Sequence, residues 1–324
     1  NPLITVAHPA KMKEAMQALE LIVVNDIYLS ETAMMADVVF PDCTYLEKDE
    51  AVVEISDKSP TYSMRNKVIE PIGGTMSYVA LFRALAAKLK CDLSYTWSDI
   101  TTYRLAQTHA NKEILEELIS KGIYKEPIPE LLCQDRQMVE HFIEKFPKLA
   151  SYKDEDGLFS LVLKNLKTPS HKIEIFCQHV EKVFQGYGVP RASHMDVSQG
   201  YPYTLISGKS AIHTNGHTQN VPYLHMLMPE NPLWIHPTTA KMHGLKQGDW
   251  CYVFNGVDRL KTKIFITEGI RPDTLFSYMG FGRQSPRLSR ANEKGINPSK
   301  LLSLHIAPVC GSMITNCGVN ITKA

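Results

Sequence analysis

The sequence predicts an α/β protein, with an open parallel-sheet region followed by a C-terminal all-β barrel. Three observations carry this prediction. The first 90 residues alternate short apolar runs with helical stripes, the rhythm of an open α/β sheet. Beyond about Ser193 the pattern changes to strand-like runs separated by glycine, proline and aspartate. At 324 residues, with 44% apolar and 21% charged residues, the chain is long enough for a substantial core and two or three domains. The expected division is 1–90 for an α/β domain, 91–192 for a mixed α/β segment, and 193–324 for the barrel domain.

In chain order, "AKMKEAMQALE" places Met12, Ala15, Met16 and Leu19 on one helical face. "LIVVND" is a short apolar run ending in Asn25 and Asp26, as in a buried parallel strand. "SETAMMA" offers Ser30 as N-cap and Glu31 in the first turn of a helix. "DVVFPD" is a second short strand closed by Pro41. Ligands of open α/β sheets bind beyond the C-terminal strand ends, which is where Asn25, Asp26 and Asp42 stand. These three either meet a ligand or cap strands and helices.

"SYVALFRALAAKLK" is a helix from Ser77 to about Lys90, with Tyr78, Leu81, Phe82, Leu85, Ala86 and Leu89 as an apolar stripe expected in the core. Residues 91 to 190 continue with "NKEILEELISKG", C-capped by Gly122, a helix in "RQMVEHFIEKF", a charged turn in "SYKDEDGLF" and a strand in "PSHKIEIFC". The barrel strands are expected in "YPYTLISG", "PLWIHP", "DWCYVFNG", "RLKTKIFITEG" and "DTLFSYMGFG".

A net charge of +1 gives no field for nucleic acid or a membrane surface. No apolar run of 18 residues is present. The seven cysteines, Cys43, Cys91, Cys133, Cys177, Cys251, Cys310 and Cys317, form no CxxC pair, so their spacing supports neither a zinc ribbon nor an iron–sulfur cluster. Cys310 and Cys317 are either a pair or simply two small residues near a C-terminal strand. The opening "NPLITV" carries no initiator methionine and reads as the middle of a strand–turn region, so a longer parent protein is expected, with any targeting signal in the missing part.

The chemistry concentrates in "SGKSAIHTNGHTQN", Ser207 to Asn220. His213 and His217 stand four apart, but Asn215 and Gly216 between them argue for a loop, and HxxxH lacks the glutamate of the zinc motif HExxH. A hydrogen-bonding loop fits better. Thr214, Asn215, Thr218, Gln219 and Asn220 supply polar groups, Lys209 supplies positive charge, and Gly208 and Gly216 allow close backbone approach. That set suits a polar, anionic cofactor with ring heteroatoms; the alternative is a turn whose side chains cap its own backbone. The later "GFGRQSPRLSRANEKGINPSKLL" clusters Arg283, Arg287 and Arg290 and turns at Gly295 and Asn297, either as an anion-binding lobe or as a solvent-facing basic loop. No GxSxG, P-loop or GxGxxG pattern is present.

These segments together resemble the C-terminal part of a catalytic subunit of the molybdopterin oxidoreductase family, the dimethyl sulfoxide reductase class. The resemblance lies in Asn1–Pro2, "VVNDIYLSETAMMADVVFPDCTYLEKDE", "YTLISGKSAIHTNGHTQNVPYLH", "LWIHPTTAKMHGLKQGDW" and "GINPSKLL", which span nearly the whole chain. The "GKSxxHTNGHTQN" loop is most similar to the polysulfide and thiosulfate reductase branch.

The resemblance implies a double-psi barrel and two molybdopterin guanine dinucleotides around one molybdenum. It implies that Asn1 lies near a dinucleotide phosphate and that Asn25, Asp26, Glu31 and Thr32, with Asp42, line the guanosine end. Ser207, Gly208, Lys209, Ser210, His213, Thr214, His217 and Thr218 would hold pterin and phosphate from the barrel side, and Asn297 the other wall. His217 is the candidate catalytic donor to substrate or, alternatively, serves the pterin alone. The expected reaction is reduction of polysulfide or thiosulfate to sulfide. Arsenate reductase, tetrathionate reductase, formate dehydrogenase and a non-catalytic cofactor-binding or interaction module are the alternatives. The resemblance further implies a [4Fe–4S] cluster and a molybdenum ligand in the missing N-terminal part. It also implies an iron–sulfur electron-transfer subunit, a membrane anchor subunit and a periplasmic location, with the cytoplasm second. The chain alone is expected to be inactive.

Overall fold

The computed structural model describes residues 1–55, 61–91, 99–108, 110–125, 200–306 and 311–324, with isolated positions between 140 and 182. The chain divides into two compact units, one of Asn1–Pro41 with Arg191–Ala324 and one of Asp42–Pro190. The "SYKDEDGLF" turn and most of the helix in "RQMVEHFIEKF" lie outside the described residues, as do Cys133, Cys177 and Cys310, whereas the described positions of "PSHKIEIFC", 170 and 174–176, hold a turn and a bend rather than the expected strand.

The first unit opens with a helical turn α1 (Pro2–Thr5) and helix α2 (Pro9–Gln17). His8 caps α2 from a left-handed conformation, its Nδ1 accepting from the Lys11 N–H. No residue of α2 is buried, and Leu19 beyond it is exposed. Strands β1 (Val23–Asp26) and β2 (Val38–Pro41) pair in parallel, Val23 beside Val38 and Asp26 beside Pro41, as their apolar runs suggested, but neither strand is buried as expected: Val23 and Val38 are exposed. Between them "SETAMMA" forms only a short 3₁₀ turn, Ala33–Met35, rather than a longer helix. The Ser30 hydroxyl still caps locally, accepting from the Ala33 N–H.

The rest of this unit is a closed six-stranded barrel of β6 (Tyr203–Gly208), β7 (Leu233–Ile235), β8 (Trp250–Phe254), β9 (Arg259–Ile266), β10 (Thr274–Tyr278) and β11 (Cys317–Lys323). Its cyclic order is β10-β6-β11-β8-β9-β7. The β10–β6 and β9–β7 pairs are parallel, and the other pairings antiparallel. Alternation along each strand fills the interior: Tyr203 and Leu205, Leu233 and Ile235, Cys251 and Val253, Leu275, and Val319 and Ile321 are all buried in one core. Five of the six strands fall within the predicted runs; β11, which joins β6 to β8, is the sixth. Two short helices, α6 (Pro222–Leu227) and α7 (Pro237–Met242), each with proline at the start, flank β7.

The second unit carries a three-stranded antiparallel sheet of β3 (Val53–Ile55), β4 (Thr61–Ser63) and β5 (Ile123–Lys125). It also holds helices α3 (Tyr78–Leu89), α4 (Ile100–Gln107) and α5 (Lys112–Lys121). Ser77 caps α3, and Gly122 ends α5 in the left-handed region at φ 74°. Ile114, Leu115 and Leu118 pack with Val52 and Met64. Arg104 is buried, its guanidinium donating to the carbonyls of Glu50 and Arg65 and to the Asn66 amide oxygen.

The α3 stripe corrects the sequence expectation. Only Leu81 and Ala86 are buried, whereas Phe82 is 64% and Leu89 71% exposed. Periodicity identifies an apolar face, not what covers it, and among the described residues nothing covers the outer half of this one.

Candidate functional site

The parallel pairing of β6 with β10 sets the site. Ser207 lies beside Ser277 and Gly208 beside Tyr278, so the segments leaving both strands start from the same end of the barrel. The link continues one residue further, where the Met279 N–H donates to the Gly208 carbonyl at 2.9 Å. The two segments are the polar loop 207–220 and the stretch 279–297.

Glycines let them meet. Gly280 has φ +92°, and a Cβ there would stand 2.6 Å from the backbone carbon of Asn215. A Cβ on Gly282 would overlap the backbone of Ile296 and Asn297.

Within the loop, backbone and side chains divide their work. The His217 N–H donates to the Thr214 carbonyl at 3.0 Å. The Thr214 N–H donates to the Thr218 hydroxyl at 2.9 Å. His213 is buried and edge-on to Phe281. Its Nε2 lies 2.8 Å from the Met228 carbonyl and its Nδ1 3.3 Å from the Thr218 hydroxyl. A carbonyl only accepts, so this network assigns the proton to Nε2, with Nδ1 accepting from Thr218.

Ser210 is also engaged, its hydroxyl accepting from the Ile212 N–H and lying 3.2 Å from Met228 Sδ. By contrast, among the described residues no partner holds the side chains of Ser207, Lys209, Thr214 or His217, and Lys209, Thr214 and His217 are exposed. Asn215 Oδ1 is buried without a hydrogen-bond partner. An acceptor in that state favours a ligand N–H.

The α/β-side residues converge on the barrel through Glu31. Arg283 Nε lies 3.0 Å from both Glu31 carboxylate oxygens and Nη2 2.9 Å from Oε2. The Gln284 N–H donates to Oε1 at 2.6 Å, and the Asn1 amide donates to Oε2 at 2.6 Å. Thr32 donates to Asn1 Oδ1 at 2.7 Å. Burial pushes the Glu31 carboxyl up, but the Arg283 hydrogen bonds and charge, with the Gln284 N–H, outweigh it and leave it below the ordinary carboxylate range. Arg283 Nη1 donates to the Gly216 carbonyl. Asn297 donates to the Ile4 carbonyl at 3.2 Å and accepts from the Ser299 N–H at 3.0 Å.

Of the sequence-predicted residues, Asn1, Glu31, Thr32, Asn297 and the 207–218 loop share one unit; Asn1, Glu31 and Thr32 are joined to the loop through Arg283 and the Gly216 carbonyl, whereas Asn297 bonds Ile4 and Ser299. Asn25 and Asp26 sit at the β1 end, where Asn25 donates to the Phe40 carbonyl and Asp26 accepts from Tyr28 and Ser30. Asp42 belongs to the other unit, paired with Lys48 at 2.9 Å and leaving Oδ1 buried without a partner.

Arg283 was legible only as one of a basic trio; Arg287 and Arg290 are exposed, whereas Arg283 is buried. Asn231, fully buried between Ser277, Tyr278 and Ile296, went unread. The paired glycines at 280 and 282 were the available signal for a tight crossing there. Among the described residues, no three His, Cys, Asp or Glu side chains group to hold a metal, and no helix is long and apolar enough to cross a membrane.

The chain is similar to proteins of known family. The family model described as molybdopterin oxidoreductase matches residues 1–88, and that described as Molydopterin dinucleotide binding domain matches residues 203–315. The thiosulfate reductase molybdopterin-containing subunit PhsA of Salmonella typhimurium is 37% identical over 324 residues, 100% of this chain and 42% of that protein. A dimethyl sulfoxide/trimethylamine N-oxide reductase of Cereibacter sphaeroides is 25% identical over 303 residues, 86% of this chain and 34% of that protein. The solved structure of acetylene hydratase from Pelobacter acetylenicus shares the fold, with a TM-score of 0.72 at 20% identity over 99% of this chain and 43% of that one. The chain spans less than half the length of these relatives.

Proposed function

We propose, from the premise that the chain belongs to the molybdopterin oxidoreductase family, that it is the C-terminal cofactor-binding part of a reductase acting on thiosulfate or polysulfide. The observation that carries the cofactor reading is the division of labour in the 207–220 loop. Its backbone is tied down, while Ser207, Lys209, Thr214 and His217 stay unpartnered among the described residues and Asn215 Oδ1 is a buried orphan acceptor. That donor set fits a pterin dinucleotide: a cation for the diphosphate, hydroxyls for its oxygens and an amide oxygen for a pterin or guanine N–H. The fold is then the double-psi form of the six-stranded barrel, and two molybdopterin guanine dinucleotides hold one molybdenum.

Bound there, the cofactor supplies two-electron redox chemistry at a sulfur–sulfur bond. For thiosulfate, two electrons and two protons break that bond and give hydrogen sulfide anion and hydrogen sulfite. In this reading His217 holds or donates a proton to the anionic sulfur as charge builds, while Lys209 stays with the cofactor diphosphate. The electrons arrive through a [4Fe–4S] cluster and an iron–sulfur partner subunit with a membrane anchor, and the assembly is periplasmic. The choice of substrate follows the likeness to PhsA, whose name gives thiosulfate reduction.

The test uses the full-length subunit with its cofactor and reduced viologen, following dye oxidation with polysulfide, thiosulfate, tetrathionate and arsenate in parallel. Turnover confined to polysulfide or thiosulfate is expected. Full molybdenum content with turnover only on tetrathionate or arsenate keeps the cofactor reading and rejects the substrate.

A further inference from the structure

The loop presents an asymmetry between its two histidines. His213 has both ring nitrogens engaged and is buried, whereas His217 has an exposed ring with no partner among the described residues. The backbone that carries His217 is nevertheless held at both ends of one peptide bond. Its N–H donates to the Thr214 carbonyl, and the carbonyl of the same peptide, on Gly216, accepts from Arg283 Nη1. Gly216 permits that grip, since a Cβ there would stand 3.2 Å from Nη1. The guanidinium is itself immobilised, because Nε and Nη2 are both spent on Glu31, which the Asn1 amide and the Gln284 N–H hold in turn.

We infer that Arg283 is a positioning residue for His217, acting through the Gly216–His217 peptide. A free side chain on a clamped backbone is how a protein presents a polar group without paying its ordering at the moment of binding. The planar guanidinium is required, because it serves Glu31 and Gly216 on separate edges at once, and a lysine ammonium at the end of a flexible stem does not reproduce that fork. The functional half of this inference rests on the reductase reading above; the conformational half does not.

The experiment uses the full-length holoenzyme with Arg283→Lys, His217→Ala and the double variant, and has two readouts. In hydrogen exchange, the peptide containing Gly216 and His217 is expected to exchange about tenfold faster in Arg283→Lys. In turnover, kcat/KM for the sulfur anion is expected to fall about tenfold with Arg283→Lys, and by less than about twofold when His217 is already alanine. Unchanged exchange overturns the inference, and so does an equal loss of kcat/KM in both backgrounds, which is what a merely structural arginine gives. If Arg283→Lys loses its molybdenum, Glu31→Asp, which withdraws the carboxylate that orients the guanidinium, replaces it under the same criteria. If the wild type turns over only another anion, the substrate reading fails, and the same cycle run on that anion still decides the role of Arg283.

Discussion

Asn231 pairs with Ile296 as one peptide pairs with another in a sheet. Its Nδ2 donates to the Ile296 carbonyl at 2.8 Å, and its Oδ1 accepts the Ile296 N–H at 2.8 Å. Nδ2 also reaches the Tyr278 carbonyl at 2.6 Å, so one fully buried side chain pins the 279–297 segment to the end of β10. Asn231→Leu leaves the Ile296 N–H and two carbonyls without partners. A loss of about 2–4 kcal/mol is expected, read as a lowered denaturant midpoint at unchanged slope.

Gly282→Ala tests the crossing itself. At φ +69° the backbone is left-handed, and a Cβ would overlap Ile296 and Asn297. A cost of at least about 2 kcal/mol is expected by thermal or denaturant unfolding. Gly248, also left-handed at φ +81° but open around its missing Cβ, supplies the control: Gly248→Ala is expected to cost only about 1 kcal/mol.

Glu31 links this geometry to pH. Its folded-state value lies below 4.5, the unfolded reference. Such a carboxylate contributes stability that is fully present above the unfolded value and is lost as pH falls through the folded one. Acid titration of stability below about pH 4.5 is therefore expected to be shallower in Glu31→Gln than in the wild type. At neutral pH the same substitution leaves Arg283 buried without its counter-charge and is expected to cost about 3 kcal/mol.

Thiol chemistry separates the cysteines. Burial pushes the thiols of Cys251 and Cys317 up to about 12, while Cys91 is exposed. Alkylation at pH 8 followed by peptide mass mapping is expected to label Cys91 within minutes. Cys251 and Cys317 are expected to be labelled only after denaturant is added.

Lys209 separates binding from folding. It is exposed and, among the described residues, carries no ion pair. Lys209→Ala is expected to leave the melting temperature within about 1 °C, since exposed substitutions of this kind change stability little. A lowered content of bound guanine nucleotide in the full-length protein is the expected consequence, measured after acid release.

The barrel was readable because its strands alternate buried and exposed positions, as in "WCYVF", where Cys251 and Val253 point inward. The parallel pair β1–β2 was readable from two short apolar runs, and α3 and α5 from Ser77 and Gly122 at their ends. What escaped depends on distance along the chain. Nothing local marks Arg283 as the partner of Glu31 rather than a member of a basic trio, because the pairing joins positions 252 residues apart. Asn231 looks like an ordinary loop residue beside Pro232 until β10 and the 295–296 turn are folded around it. The sheet β3–β4–β5 has strands of three residues each, too short for a period of two to rise above chance. The exposed half of α3 shows the converse: a helical stripe predicts a face, and a face does not name its partner.

The division of one folded unit between Asn1–Pro41 and Arg191–Ala324 has a consequence in time. A chain emerging from the ribosome at about 5–20 residues per second exposes Glu31 roughly 10–50 s before Arg283 follows it. During that interval the Glu31 carboxylate is solvated, and buried residues of the opening segment such as Ile4 and Ala7 lack the half of the fold to which they belong. Folding of this unit therefore waits for its second segment, and residues 1–41 stay without their partner segment while the 149 residues between them and Arg191 are made.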